Sequence, residues 1–286
     1  MKFLSQSLVT SAATGRLVFK SSSRTDMSQM DKDRFLSMAV CYDRMAPRLM
    51  PAYDLFQDHV IDLLHEGDCE PDLVVDLGAG SGILLEKILR RSARSRAVWV
   101  DSSPDFRNVA EKRLAAFRDR VRFIECALED DWERQLLGAP DAILSMSAIH
   151  HLESGQKRRL YARCFSLLRP GGRFFNIDEM STLWDDAYRN TLHYWARHVE
   201  QARKHVPAEL ADDCRAWCER FDRWKARNID GAGRAKARGD DLHEPFLDQM
   251  RWLRECGFLE VDLFLKHHLW SVIGGRKPDA SSRTPH

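Results

Sequence analysis

The sequence predicts an α/β fold built on a mostly parallel, doubly wound sheet. Short apolar runs of strand type alternate with longer stretches of helical periodicity through much of the chain. The first such strand, Leu73 to Leu77, runs into a turn with three glycines at alternate positions, and a helix follows directly. Strands that alternate with helices in this way are joined by right-handed crossovers, which produce a parallel sheet with helices on both faces.

The composition limits the class of protein. With 286 residues, 44% of them hydrophobic, the chain can bury a large core. Lysine and arginine number 44 against 43 aspartate and glutamate, so a formal charge of +1 gives no support for a nucleic-acid partner. Seven cysteines without a C-x-x-C pair predict neither a metal site nor a disulfide frame, and they favour a cytoplasmic location. No apolar run approaches the roughly 20 residues that a membrane span needs.

The two ends of the chain differ in composition from the rest. Residues 1–25 hold four basic residues, six serines and no acid, a composition typical of an organellar targeting segment. A disordered extension ahead of Met27 or Met30 is the simpler interpretation. We therefore assign residues 1–30 to a disordered or targeting extension and the polar residues 277–286 to a tail.

The remaining elements follow in order. Two helical stretches between Asp31 and His65 precede the first strand. We predict further strands at 97–101, 121–126, 142–145 and 174–177, and a pair of closing strands at 261–265 and 269–273. Between residues 183 and 244 the pattern is helical, with a break near Pro207 and a glycine-containing loop at 229–240. The prediction is a core of residues 31–182 plus 245–276, with a helical cap insert at 183–244 after the fifth strand.

The spacing of the glycine turn predicts its ligand. A dinucleotide fold has G-x-G-x-x-G here to seat a pyrophosphate, whereas Gly78 to Gly82 reads G-x-G-x-G and follows an acid, Asp76. A carboxylate at Asp76 would repel a pyrophosphate but suits an ammonium group, such as the one on S-adenosylmethionine (SAM). Glycine also lets a ligand approach bare main chain.

A second acid supports a nucleoside cofactor. Asp101 ends the second strand, 23 residues after Gly78, and Ser102 follows it at the start of a helix. An acid about 20 residues beyond the turn accepts hydrogen bonds from ribose hydroxyls in doubly wound nucleoside-binding folds.

The segment from Val74 to Gly82 resembles the first motif of the class I SAM-dependent methyltransferases. Ser147 to Leu152, which reads S-A-I-H-H-L, and the L-x-P-G-G that precedes the fifth strand are similar to later motifs of that family. The resemblance covers about residues 35–182 and 246–275. It implies a Rossmann-like methyltransferase fold with seven strands, SAM as cofactor, and transfer of a methyl group to a small-molecule acceptor.

The resemblance also implies which residues contact SAM. Tyr42 matches a family segment of the type Y-D-x-x-A that covers the cofactor. Family members place an acid after the third strand for the adenine, but Cys126 and Ala127 stand there, so Glu125, Glu129 or a main-chain carbonyl are the alternatives. The assigned cofactor contacts are Tyr42, Asp76, Gly78, Ala79, Gly80, Gly82, Asp101, Ser102, Cys126, Ala127, Leu128, Ser145 and Ser147.

Polar residues follow the fourth and fifth strands, where ligands of open α/β sheets bind. His150, His151, Asp178 and Glu179 are the candidate catalytic residues, because one of them must act as a general base if the acceptor has to lose a proton. For each histidine, a structural hydrogen bond is an equally good interpretation.

The insert is expected to cover the acceptor. It holds four of the eight tryptophans, and aromatic faces stabilise a sulfonium or methylated amine by about 0.5 to 2 kcal/mol. Trp217 and Trp224 share one helical face and are predicted to pack in the core. The assigned acceptor contacts, nearer the fifth strand, are Trp184, His193, Tyr194 and Trp195.

Three alternatives to small-molecule methylation stay open at the level of sequence. The stretch from Pro51 to Asp54 resembles enzymes that modify the wobble uridine of tRNA with a carboxylated SAM, although the balanced charge argues against them. A non-catalytic SAM-binding module would not need the polar groups at the strand ends. A nucleotide-dependent oxidoreductase predicts NAD binding instead.

Overall fold

A computed structural model describes residues 29–66, 70–234, 236 and 240–279. Its strands are β1 (Leu73–Leu77), β2 (Arg96–Asp101), β3 (Val121–Glu125), β4 (Ala142–Met146), β5 (Arg173–Glu179), β6 (Leu259–His267) and β7 (Trp270–Arg276). They form one sheet in the order β3-β2-β1-β4-β5-β7-β6, in which β1 to β5 are parallel and β7 is antiparallel to both neighbours. The predicted mostly parallel, seven-stranded fold is confirmed.

The helices alternate with these strands. They are α1 (Gln29–Leu49), α2 (Tyr53–Leu64), α3 (Ile83–Arg91), α4 (Pro104–Arg113), α5 (Ser154–Leu167), α6 (Asp185–Ala202), α7 (Ala211–Lys225) and α8 (Phe246–Glu255). Short 3₁₀ turns occur at Ala115–Arg120, Trp132–Gln135, Ile149–His151, Arg203–His205 and Ala208–Leu210, and a π-helical turn at Ala226–Asp230. Within the described part of the chain, no helix has the length and apolarity to cross a bilayer.

Some predictions lie outside the described residues. The proposed extension falls there except for Gln29 and Met30, as do residues 280–286 of the tail and part of the 229–240 loop.

The central strand β1 places the functional edge of the sheet. It pairs with β2 on one side, Val75 opposite Val98, and with β4 on the other, Val75 opposite Ile143. Both partners are parallel to it, so the carboxyl ends of all three strands reach the same edge. Because β1 connects to β2 while its other neighbour is β4, the strand order reverses here, and that reversal opens a crevice for ligands.

The strands at the β5 edge are longer than predicted. β5 continues through Asp178 and Glu179 because the antiparallel β7 pairs with it along its whole length. In β6 the register shifts twice, between Leu259 and Asp262 and between Leu263 and Leu265, which interrupts the alternation of buried and exposed side chains. The sequence pattern therefore predicted only the middle of β6.

The insert helices α6 and α7 pack beside α1 around a cluster of aromatic rings. The ring of Trp195 lies 4.9 Å from Phe221, 4.4 Å from Trp224 and 4.5 Å from Trp270, measured between centroids. Trp217 is also buried. The insert thus shares a hydrophobic core with the helices that precede β1.

Candidate active site

The glycine turn, residues 76–82, needs its three glycines for conformational reasons. Gly78, Gly80 and Gly82 all have φ in the left-handed region, at 71°, 50° and 77°. A side chain would be strained at each position. A Cβ on Gly78 would also lie 2.2 Å from the Cβ of Ala148. The G-x-G-x-G spacing is therefore what this backbone path requires.

Strand β2 holds the turn in place. The N–H groups of Gly78 and Ala79 both donate to the Val100 carbonyl, at 2.8 and 3.0 Å. Asp101 accepts from the N–H of Gly80 through Oδ2 and from the N–H of Ser103 through Oδ1, both at 2.9 Å. Each carboxylate oxygen has a second lone pair, so Asp101 can support the turn and still accept from ribose hydroxyls.

Asp76 has a carboxyl oxygen without a hydrogen-bond partner beside the turn. Its side chain is buried, and its Oδ1 has no hydrogen-bond partner among the described residues. Burial, with the nearby charge of Asp101, raises the pKa of Asp76 to about 8. The hydroxyl oxygen of Ser147 is likewise buried without a partner. Buried polar atoms are normally paired, so these two fit a polar ligand, and Asp76 fits an ammonium group.

These groups line one crevice, which we call the cofactor cavity. Of the predicted cofactor contacts, those that line it are Tyr42, Asp76, Gly78, Ala79, Gly80, Asp101 and Ser147. Those that do not are Gly82, Ser102, Cys126, Ala127, Leu128 and Ser145.

Structural roles explain why several of these residues do not line the cavity. Gly82 caps α3, the Ser145 hydroxyl donates to the Leu77 carbonyl at 2.8 Å, and the Cys126 N–H donates to the Asp101 carbonyl at 2.9 Å. Leu128 packs in the core with Trp132.

A salt-bridge cluster fastens α1 over the turn. Arg113 binds the Asp43 carboxylate at 2.7 and 2.8 Å, Glu86 at 2.6 Å and the Ser81 carbonyl at 3.1 Å. Tyr42, next to Asp43, is held with its ring 5.5 Å from Phe106 in the cofactor cavity and 5.4 Å from Trp217 in the insert. Tyr42 therefore lies between the cofactor cavity and the insert.

A second crevice, the acceptor cavity, adjoins the first. Tyr42, Ser147, His151 and Arg220 line both cavities. One wall of the acceptor cavity is aromatic, formed by Trp195, Trp217, Phe221 and Trp224. Another part of its lining, which we call the polar wall, is formed by His150, His151, Glu179 and Asp241.

His150 and Asp178 form a buried pair behind the polar wall. The Nδ1 of His150 lies 2.6 Å from Oδ1 of Asp178, and the main-chain N–H of His150 donates to Oδ2 at 2.8 Å. Burial acts to lower the pKa of His150, but Asp178 and Glu179 outweigh it and raise that pKa to about 9. In the same way, burial acts to raise the pKa of Asp178, whereas His150 lowers it. The pair is thus charged at neutral pH.

The residues after the insert complete the polar wall. The Leu242 N–H donates to the His150 carbonyl at 2.8 Å, and the buried Lys157 ammonium binds the Leu242 carbonyl and the Glu244 carboxylate. This anchoring places Asp241 and His243 against the polar residues of the β4 and β5 ends.

The resulting contacts define what we call the acceptor-end cluster. Asp241 Oδ1 lies 3.3 Å from Nδ1 of His151 and 3.7 Å from Nε2 of His150. His243 Nε2 lies 2.9 Å from Oε2 of Glu179, close enough for an ion pair but not aligned as a hydrogen bond. The cluster comprises His150, His151, Asp178, Glu179, Asp241 and His243.

Of the predicted acceptor contacts, only Trp195 reaches the acceptor cavity. Trp184 is 70% exposed at the start of α6, and His193 faces solvent. The Tyr194 hydroxyl lies 3.0 Å from Nε2 of His267, and its ring stacks on His268. The helix turns one face to the core, and Trp184, His193 and Tyr194 are not on it. Trp217 and Trp224 are buried as predicted and also line the cavity.

Among the polar site residues, the predictions did not include Asp241, His243 or Arg220. Asp241 and His243 flank Leu242 just before α8, and Arg220 lies on α7. The D-x-H pattern after a glycine-containing loop is the one local sign that could have marked the first two. Arg220 has no local signal, since arginines are frequent along the solvent face of α7.

Comparison with known proteins agrees with this geometry. Residues 75–174 match the model of a methyltransferase domain family. A similar protein is 3-amino-4-hydroxybenzoate 4-O-methyltransferase of Streptomyces cremeus, 28% identical over 111 residues that cover 38% of this chain and 29% of that protein. Another is carboxy-S-adenosyl-L-methionine synthase of Nautilia profundicola, 23% identical over 145 residues, or 51% of this chain and 60% of that protein.

Solved structures show the same fold. An O-methyltransferase family protein from Burkholderia thailandensis superposes with a TM-score of 0.57 at 20% identity, covering 87% of this chain and 63% of that one. An O-methyltransferase family 2 protein from Planctomyces limnophilus in complex with apigenin gives 0.54 at 17% identity, covering 89% and 63%.

The chain spans 63% of these two solved chains and only 5% of the first matching relative, squalestatin tetraketide synthase of a Phoma species, to which it is 26% identical over 123 residues. The family recognised from the glycine turn is confirmed by the domain match and the fold. Residues 75–174 are therefore a methyltransferase domain, in a chain that has the fold of the class I SAM-dependent methyltransferases.

Proposed function

We propose that this chain methylates a hydroxyl group of a small aromatic molecule that carries a negative charge, with SAM as the methyl donor. The observation that carries the proposal is the junction of the two cavities at Tyr42, Ser147, His151 and Arg220. The names of the similar Streptomyces enzyme and of the Planctomyces complex, which mention a hydroxybenzoate and apigenin, support an aromatic acceptor.

The acceptor-end cluster suits the chemistry of such an acceptor. When bound, SAM supplies an electrophilic methyl group on a positively charged sulfur. Orientation of the two ligands can contribute about 7 to 11 kcal/mol, and a general base about 10² to 10⁴-fold in rate. A neutral hydroxyl is a weak nucleophile, so a polar wall in the same cavity as the aromatic wall fits the removal of its proton.

Two of the four candidate bases are in a position to act. Asp178 does not line the acceptor cavity, and its oxygens accept from the N–H groups of His150 and Glu179. His150 is held protonated by Asp178 at neutral pH. Both are therefore positioning residues in this arrangement. His151 and Glu179, which line the cavity, remain as the groups that can take the proton.

Arg220 supports an anionic acceptor. Its side chain lines both cavities, and within residues 29–66, 70–234, 236 and 240–279 no carboxylate forms an ion pair with it. A guanidinium without a protein partner can hold a carboxylate through two parallel hydrogen bonds. An acidic group on the acceptor would satisfy it.

A carboxylated SAM is a second candidate ligand for the same arginine. The similarity to a carboxy-S-adenosyl-L-methionine synthase and the position of Arg220 beside the cofactor cavity favour it. The balanced charge of +1 still argues against a tRNA acceptor. The free thiols of Cys41, Cys126, Cys164, Cys214, Cys218 and Cys256 support the proposed cytoplasmic location.

The test has two parts. Calorimetry with S-adenosylhomocysteine and with NAD measures cofactor choice, and a panel of hydroxylated benzoates with labelled SAM measures transfer. We expect binding of S-adenosylhomocysteine, none of NAD, and transfer that falls about 10² to 10⁴-fold in either His151→Ala or Glu179→Gln, with cofactor affinity kept in both. Binding without transfer to any acceptor would indicate a SAM-binding module, and tight NAD binding would contradict the proposal.

A further inference from the structure

We propose that the acceptor-end cluster binds a divalent transition-metal ion, with His150 Nε2, His151 Nδ1 and Asp241 Oδ1 as its ligands. All three residues line the acceptor cavity. The inference rests on the proposed function and assigns separate roles within the cluster, because an ion on His151 leaves Glu179 as the group that takes the acceptor proton.

The spacing of the donor atoms suits one ion. One such atom from each of the three residues lies within 4.8 Å of the others. Asp241 Oδ1 is 3.3 Å from His151 Nδ1 and 3.7 Å from His150 Nε2. Ligands about 2.0 to 2.2 Å from a tetrahedral ion lie about 3.3 to 3.6 Å apart. Small side-chain shifts would therefore complete the site.

Outer contacts already orient two of the three ligands. The Nδ1 of His150 lies 2.6 Å from the Asp178 carboxylate, so an ionised Asp178 holds the proton on that nitrogen, and an ion that binds Nε2 would displace the proton there. His150 lines the acceptor cavity, and the Oδ1 of Asp241, 3.7 Å from Nε2, is beyond hydrogen-bond range. The other oxygen of Asp241 accepts from Nδ2 of Asn228 at 3.4 Å.

Buried polar atoms without hydrogen-bond partners lie beside these ligands. Oε2 of Glu179 and Nε2 of His243 lie 2.9 Å apart without the alignment of a hydrogen bond. Neither atom has a hydrogen-bond partner among the described residues, and the side chains are 6% and 1% exposed. Glu179 and His243 each offer a ligand atom within 4.8 Å of a carboxylate oxygen of Asp241. Buried polar atoms normally have hydrogen-bond partners, so buried atoms without them are unusual away from a ligand or ion.

The ligand types select the class of ion. Two imidazoles and one carboxylate suit zinc, iron, cobalt or manganese, whereas calcium and magnesium prefer oxygen ligands alone. Three protein ligands leave positions open toward the acceptor cavity. An ion there would act as a Lewis acid that favours the ionised form of an acceptor oxygen.

The experiment measures metal binding directly on the full chain. After dialysis against a chelator, the protein is titrated with Zn²⁺ by calorimetry and with Co²⁺ by visible absorption. We expect one equivalent of either ion and the absorption of a low-coordinate Co²⁺ site. His151→Ala should weaken Zn²⁺ binding at least about 100-fold and Asp178→Asn roughly 10 to 100-fold. His205→Ala, which removes an exposed histidine of the insert, should change nothing.

Binding of S-adenosylhomocysteine in each variant shows that the fold is intact and separates the two proposals. If the protein binds that ligand and methylates an acceptor but takes up no Zn²⁺ or Co²⁺, the metal site is wrong and the proposed function stands. Metal binding lost in Glu179→Ala and His243→Ala but kept in His151→Ala would also overturn the assignment, because the ion would then lie on the other set of donors.

Discussion

The two cavities of this protein are built in different ways. The cofactor cavity is shaped mainly by main chain from one short stretch, residues 76–82, braced by Asp101 at the end of the neighbouring strand. The acceptor cavity is built from side chains of α1, α6, α7, the ends of β4 and β5, and the segment after the insert. A main-chain site is encoded locally, whereas a side-chain site depends on contacts between distant segments.

The largest effect is expected from a substitution that disrupts the main-chain site. Gly78→Ala forces a residue with φ of 71° to carry a Cβ that would lie 2.2 Å from Ala148. We expect a loss of about 2 to 5 kcal/mol of unfolding free energy, from about 1 to 2 of backbone strain and about 1 to 3 of overlap. Binding of S-adenosylhomocysteine should be lost with it. Chemical denaturation and calorimetry measure both.

Gly233→Ala is the matched control for that change. Gly233 also has positive φ, at 88°, but a Cβ there would meet nothing within 4 Å. The variant should therefore lose only the strain, about 1 to 2 kcal/mol, and keep full cofactor affinity. Equal effects of the two substitutions would mean that the approach to Ala148 is unimportant.

The next effect concerns Asp76, the carboxyl group assigned to the ammonium end of the cofactor. Asp76→Asn should weaken S-adenosylhomocysteine binding roughly 10 to 100-fold, because a charge-assisted hydrogen bond to the ammonium group contributes about 1.5 to 3 kcal/mol. Since Asp76 has a pKa raised to about 8 without ligand, it holds a proton below that pH and must release it to bind a cation. Affinity should then rise with pH up to about 8 and level off above it.

The pH dependence has its own control. The amino group of the ligand also titrates, so the comparison is between the profiles of the parent protein and of Asp76→Asn. The pH-dependent gain below about 8 should be smaller in the variant. Identical profiles would show that the ammonium group binds elsewhere.

What the sequence could predict follows the same division. The turn, Asp76 and Asp101 were predictable, because three glycines at positive φ and two acids at strand ends leave a local pattern. Cys126 to Leu128 were assigned by analogy and do not line the cavity, since β3 ends with its main chain bonded to Asp101.

The acceptor side could be predicted only in part. His150, His151 and Glu179 were found because strand ends converge at one edge. Asp241 reaches them only because Lys157 and the His150 carbonyl anchor residues 242–244, contacts between segments about 85 residues apart. No periodicity or spacing encodes such a contact. The same holds for Arg220, whose role depends on how α7 packs on α1.

A smaller effect should separate the two ligands that share Arg220. Arg220→Gln is expected to raise KM for an anionic acceptor about tenfold, as for loss of a charged hydrogen bond at a partly exposed site, and to leave kcat nearly unchanged. Arg223→Gln, an exposed neighbour on the same helix that does not line either cavity, is the control. A loss of cofactor affinity with an unchanged acceptor KM would assign Arg220 to the cofactor cavity.

The smallest expected effect tests where the insert meets the acceptor. Trp184 is 70% exposed, so Trp184→Ala should change unfolding free energy by no more than about 0.5 kcal/mol and leave acceptor KM unchanged. Trp217→Phe is the comparison, because Trp217 is buried, lines the acceptor cavity and packs on Tyr42 at 5.4 Å. Loss of about 1 kcal/mol of aromatic contact should raise acceptor KM about 3 to 10-fold. If Trp184→Ala raised KM instead, α6 would have to move its first turn over the acceptor during turnover. The two cavities would then differ in how they move as well as in how they are built.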